Sequence, residues 1–133
     1  MGIATETHGN LTCEVEADEV ENQYTGTLKY NSFEVGRVSG SDLAAVRAQF
    51  QMIASLVDEG AQIRHGIIVC GYHNDELRGD VLLVDGEALG TWYMDDEEWC
   101  YFTVDGETEP KCTAPSAWMM HDAIAEWHTA ASQ

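Results

Sequence analysis

Basic residues are what this chain has least of. Its 133 residues carry 6 Lys and Arg against 24 Asp and Glu, a formal net charge of −18 at pH 7. Direct binding to DNA or RNA is thereby disfavoured, because it needs Lys and Arg to displace counterions from phosphates. Long apolar runs are missing too. No stretch nears the roughly 18 consecutive apolar residues of a membrane helix, so no membrane role is expected. The opening residues MGIATETHGN hold neither the basic region nor the apolar core of a secretion signal, and a cytoplasmic setting is expected. There is no C-x-x-C pair. Cys13, Cys70, Cys100 and Cys112 stand far apart and read as reduced structural thiols, with a Cys100–Cys112 bridge as the alternative. G-x-S-x-G, H-E-x-x-H and phosphate-binding glycine loops are also absent. A non-enzyme without a cofactor is favoured.

What is present is acid, and its placement is uneven. Glu14, Glu16, Asp18, Glu19 and Glu21 form one run without a base. From Asp75 to Glu109 there are 12 acids, including Glu76, against the single base Arg78. Asp95, Asp96, Glu97 and Glu98 are the densest group, and Trp99 follows directly. Four adjacent carboxylates are too costly to bury unpaired, so this run is placed on an exposed strand connection. Net charge of magnitude roughly 2–8 serves the solubility of a small domain. A value of −18 goes well past that and repels itself.

Composition and patterning point to one α+β domain over residues 11–133, preceded by a loose arm at 1–10. Forty-four per cent hydrophobic residues argue against disorder despite the charge. Strict alternation over Leu11–Ala17 and Tyr24–Tyr30 reads as half-buried strands, and Phe33–Val38 as a third. Leu43, Val46, Phe50, Ile53 and Val57 recur at helical spacing, with Ser41 or Asp42 as cap and Gly60 as stop. Further strands are expected at His65–Tyr72, Gly79–Val84, Leu89–Met94 and Trp99–Val104, with turns at Asn74–Asp75, Asp85–Gly86 and Asp105–Gly106. A closing helix follows Pro115, with Thr113 as its cap. The expected architecture is an antiparallel sheet of about five to seven strands with two main helices, 41–59 and 115–131. The closing helix carries Trp118, Met119 and Trp127. It has more large apolar side chains than one face can hide, so it either seals the core or forms a symmetric dimer contact.

Metal chemistry finds little support. Cys70 and His73 have C-x-x-H spacing, but on a regular strand they point to opposite faces. His121 and His128 are two helical turns apart, about 10 Å along the axis, and read as a surface stripe. The 95–98 run lacks the interleaved spacing of a calcium loop. No metal is expected. Trp92, Tyr93, Trp99 and Tyr101 interleave with the acids, as one face of a core sheet or as aromatic anchors of an interface.

The charge favours a basic partner. Same-face side chains on a strand lie roughly 6.6 Å apart, twice the rise per residue. Glu14 and Glu16, or Asp96 and Glu98, would then present a line of charge on the scale of a nucleic-acid backbone. Arg pairs bidentately with carboxylate as it does with phosphate. In size and acidity the chain resembles phage-encoded inhibitors that imitate nucleic acid, including anti-CRISPR and anti-restriction proteins. That resemblance implies a basic, nucleic-acid-binding groove of a host complex as partner. The expected function is therefore a non-enzymatic acidic inhibitor, bound through Glu14, Glu16, Asp18, Glu19, Glu21, Asp75, Glu76, Asp95, Asp96, Glu97, Glu98 and Trp99. Two alternatives stand beside it: a small enzyme or ligand-binding domain with a pocket, and an acidic protein of a salt-adapted organism.

Overall fold

The computed structural model describes residues 2–73 and 75–131. The fold is α+β and wholly antiparallel. Strands β1 (Gly2–His8), β2 (Leu11–Asp18), β3 (Gln23–Tyr30) and β4 (Phe33–Gly40) form a four-stranded meander. Helix α1 (Leu43–Asp58) follows. A second meander comprises β5 (Gln62–Arg64), β6 (Ile67–Val69), β7 (Arg78–Leu83), β8 (Ala88–Met94), β9 (Cys100–Val104) and β10 (Cys112–Ala114). Helix α2 (Ala117–Ala131) closes the chain. There are thus two sheets where the sequence suggested one. The expected loose arm is instead strand β1, paired with β2 from Ala4↔Val15 to His8↔Leu11.

Each sheet faces the core with its apolar alternation. Leu11, Cys13 and Val15 of β2 are buried, while Glu14 and Glu16 point outward. Val46, Phe50, Ile53 and Ala54 of α1 are buried in the same cluster. Gly26 of β3 makes that approach close. A Cβ there would stand 2.6 Å from Cys13 Sγ and 3.0 Å from Val46 Cγ1. Asp42 caps α1, its side chain accepting from the Ala45 N–H at 2.8 Å, which satisfies one of the orphan amides of the first turn.

The β5–β6 hairpin joins the two halves. Ile63 and Ile68 pack with the first sheet and α1. Ile67 and Val69 face the other way, toward Trp92, Phe102, Met120 and Ile124. The stretch His65–Tyr72, expected as one strand, therefore starts in a two-residue turn. His65 and Gly66 both take positive φ, 57° and 74°, the geometry of tight hairpins whose twist matches their strands. The Gly66 N–H donates to the Val35 carbonyl at 2.7 Å, tying this turn to β4.

Helix α2 crosses the second sheet, touching β10, β9 and β6. Thr113 lies in β10 and does not cap it; the Ser116 hydroxyl does, accepting from the Met119 N–H at 3.1 Å. Met120 and Ile124 are fully buried, and the Trp127 ring packs 5.5 Å from Phe102. Trp118 and Met119 remain about half exposed. His121 corrects the expected surface stripe: it is buried. Among the described residues no helix is long and apolar enough to cross a membrane. All four cysteines are free. Cys112 sits opposite Phe102 rather than Cys100.

Candidate functional site

A meander places successive hairpins at alternate ends of its sheet, and this sorts the acids. The loop holding Asp75 and Glu76 and the turn holding Asp95–Glu98 share one end, where the Met94 N–H donates to the Leu77 carbonyl at 3.0 Å. The turns with Asp85 and Glu87, and with Asp105, Glu107 and Glu109, share the other end. The acidic stretch Asp75–Glu109 is therefore not one face. Eleven of its 12 acids are divided between two ends of the six-stranded sheet, and Asp80 lies within β7. Asn74, half of the expected Asn74–Asp75 turn, lies outside the described residues. The two Val-Asp-Gly-Glu segments, 84–87 and 104–107, are both hairpin turns.

The 95–98 run lies at the β8–β9 connection, with Asp96, Glu97 and Glu98 exposed. Asp95 organises it. Its Oδ1 accepts the N–H groups of Glu97 and Trp99, each at 2.9 Å, and its Oδ2 accepts the Tyr101 hydroxyl at 2.8 Å. The Tyr101 bond, with those amides, holds the Asp95 carboxyl below its ordinary range, and raises Tyr101 in turn. Tyr93 stacks on Tyr101 with centroids 5.0 Å apart. Trp92 is core: it is buried, and its Nε1–H donates to the Cys70 carbonyl at 2.7 Å. Trp99 is 41% exposed beside the acids.

On the first sheet, Glu14, Glu16 and Asp18 lie on the solvent side of β2. Glu14 is paired with Lys29 at 2.9 Å. The Asp18 side chain accepts from Val20 and Glu21 in the β2–β3 turn, which also presents Glu19. These residues form a patch of their own on the other sheet.

Each of the six bases lies within 4 Å of a different carboxylate. Lys29 meets Glu14, Arg37 meets Glu34, Arg47 meets Glu6, Arg64 meets Asp122, Arg78 meets Glu76 and Lys111 meets Glu107. The formal charge of −18 is therefore carried by acids without a Lys or Arg of their own. None of the 24 acids is buried.

Sequence reasoning missed a polar junction where the two sheets and α2 meet. His65 Nε2 lies 3.0 Å from Asp122 Oδ1, and Arg64 Nε lies 3.3 Å from the same oxygen. The Arg64 guanidinium stacks over the Trp118 ring at 3.7 Å. This unit separates two clefts. One, about 630 Å³, lies against α2 and includes His65, Asp122, Glu126 and His128 in its walls. The other, about 480 Å³, lies between the β3–β4 hairpin, β5 and Trp118. Gly66 was the available signal, since glycine readily takes the positive φ that a two-residue hairpin turn requires. Nothing in the sequence placed Asp122 beside it.

For zinc, His73 Nε2 is instead engaged with Gln62 Oε1 at 3.1 Å. Among the described residues no three His, Cys, Asp or Glu converge on one point. Burial raises all four thiols, Cys13 to about 11 with Glu6 and Glu14 adding to the effect. Reactive thiols need the opposite environment.

No protein-family model, curated protein or solved structure matches the chain.

Proposed function

We propose that this chain is a non-enzymatic acidic interaction protein that occupies a basic, nucleic-acid-binding groove of a partner complex, in the manner of anti-CRISPR and anti-restriction inhibitors. The observation that carries the reading is the one-to-one matching of all six bases by carboxylates. Every Lys and Arg has a carboxylate within 4 Å, which leaves 18 acids without a Lys or Arg of their own. Five carboxylates without a Lys or Arg partner at one end of the second sheet, Asp75 and Asp95 to Glu98, and Glu16 and Asp18 on the first, offer arginine-rich surfaces the acceptors that phosphates would. Four unpaired thiols suit a reducing, cytoplasmic setting.

The test is capture from a host lysate with washes at rising salt. A basic nucleoprotein should be retained at low salt and released as the Debye length falls from about 10 Å at 0.1 M to about 3 Å at 1 M. Asp96→Lys with Glu98→Lys, and separately Glu14→Lys with Glu16→Lys, should weaken retention without unfolding the domain. If neither pair changes retention, the acids serve solubility only. The second reading, a ligand-binding α+β domain, is favoured by the 630 Å³ cleft at Arg64, His65 and Asp122. A small molecule carried through purification and lost in Asp122→Ala would support it.

A further inference from the structure

We infer that the cleft between the β3–β4 hairpin and the first turn of α2 seats an extended, arginine-bearing segment of the basic partner. This inference rests on the acidic-interaction reading and supplies its short-range anchor. The cleft measures about 480 Å³, inside the roughly 300–1,000 Å³ range of ligand sites. Val35 and Ile63, both buried, contribute to it from below, and Phe33 and Trp118 stand at its mouth. Phe33 is 76% exposed and Trp118 51%. Two large aromatics left open at one cleft are the kind of anchor that carries binding energy. β4 and β5, which flank it, are the terminal strands of their two sheets and meet where the Gly66 N–H donates to the Val35 carbonyl, so an occupant enters over Phe33 and Trp118 rather than between the strands.

Three observations select arginine. The Trp118 ring already carries the Arg64 guanidinium at 3.7 Å, and the residue is still half exposed; planar guanidinium groups stack on aromatic faces where ammonium groups do less well. Glu34 lines the same cleft, and its own partner Arg37 is only at 3.5 Å with both side chains half exposed or more. An incoming guanidinium has a carboxylate to pair with bidentately. Charge decides between occupants. A body of −18 attracts a basic segment, whereas two copies of the chain repel each other.

The experiment follows the anisotropy of labelled nona-arginine and nona-lysine peptides against the full chain at 0.15 M and 0.5 M salt. Nona-arginine should bind at least 5-fold more tightly than nona-lysine. Phe33→Ser should raise its Kd at least 5-fold and Glu34→Gln at least 3-fold. Trp118→Leu should act like Phe33→Ser, and because it also removes the Arg64 stack, Phe33→Ser is the decisive variant. Asp96→Lys with Glu98→Lys, at the other end of the second sheet, should matter at 0.15 M and fade at 0.5 M. Equal affinity for the two peptides, or indifference to Phe33→Ser, overturns the cleft assignment and leaves the acidic reading standing. A chain that captures a basic partner from lysate yet ignores both peptides loses the cleft assignment alone. Sedimentation showing a dimer that Phe33→Ser dissolves would assign the cleft to a second copy and overturn the proposal.

Discussion

His121 Nε2 lies 2.8 Å from the carbonyl oxygen of Ile67, wholly out of solvent. A carbonyl only accepts, so Nε2 carries the proton, and the buried Nδ1 is an acceptor without a hydrogen-bond partner among the described residues. The imidazole is thus held neutral. Burial pulls its pKa down to about 4; the Ile67 and Arg64 backbones oppose the effect, and the His65 and Arg64 charges add to it.

Acid should destabilise the protein through this residue. The unfolded histidine titrates near 6.5 and the folded one near 4. Between those values the unfolded chain binds the extra proton. Stability from the neutral imidazole is complete above about pH 6.5 and lost as pH falls toward 4, a loss on the order of 3 kcal/mol. His121→Asn can keep a donor near Ile67 and removes the titration. Urea unfolding from pH 7 to 4 should show a shallower decline for the variant; parallel curves would contradict this. The difference between the two proteins cancels the relief that protonating surface carboxylates brings to both.

Asp95 and Tyr101 should behave as one unit. Asp95→Ala frees two amides of the β8–β9 turn and the Tyr101 hydroxyl, so the unfolding midpoint should drop. Tyr101→Phe should drop it less, and should add little on top of Asp95→Ala, because the shared bond is already gone. Full additivity would show that the bond is not made in solution. The depressed Asp95 carboxyl contributes stability that is present above its unfolded value of 3.8 and lost only as pH falls through its lower folded value. The acid loss specific to Asp95 therefore lies below that of His121.

The alternations of β2 and β3 and the helical spacing of α1 were legible because each element buries one regular face. β1 was not: Thr5, Thr7 and His8 show no apolar alternation, and the strand is held at a sheet edge by backbone pairing with β2. β5 and β10, three residues each, are shorter than any periodicity can reveal. The 95–98 turn was legible from the cost of burying charge. The clefts were not, since they depend on Phe33, Arg64 and Trp118 meeting from distant parts of the chain. His121 looked solvent-facing because its helix also carries His128 at the same angle. What buries it is the β5–β6 hairpin, which local sequence does not announce.

Gly26→Ala should be destabilising by about 1–3 kcal/mol, the usual cost of overpacking a filled core. The added methyl would meet Cys13 Sγ at 2.6 Å and Val38 Cγ2 at 2.9 Å. Cys13→Ala removes the nearer obstacle. In denaturant melts the double variant should lose less than the sum of the two single losses. A sum that simply adds would mean the sheet spreads and the thiol is not the obstacle.

The alternation of hairpin ends spreads the protein's negative charge over more than one side of the molecule. Carboxylates stand at both ends of the second sheet and on the outer side of the first, so long-range attraction draws a cationic surface toward more than one side and does not by itself fix how that surface docks. Capture and alignment become separate events. The first is governed by total charge and ionic strength, and the second by short-range contacts. Changes that leave total charge untouched should then alter the lifetime of a complex while leaving its rate of formation almost unchanged.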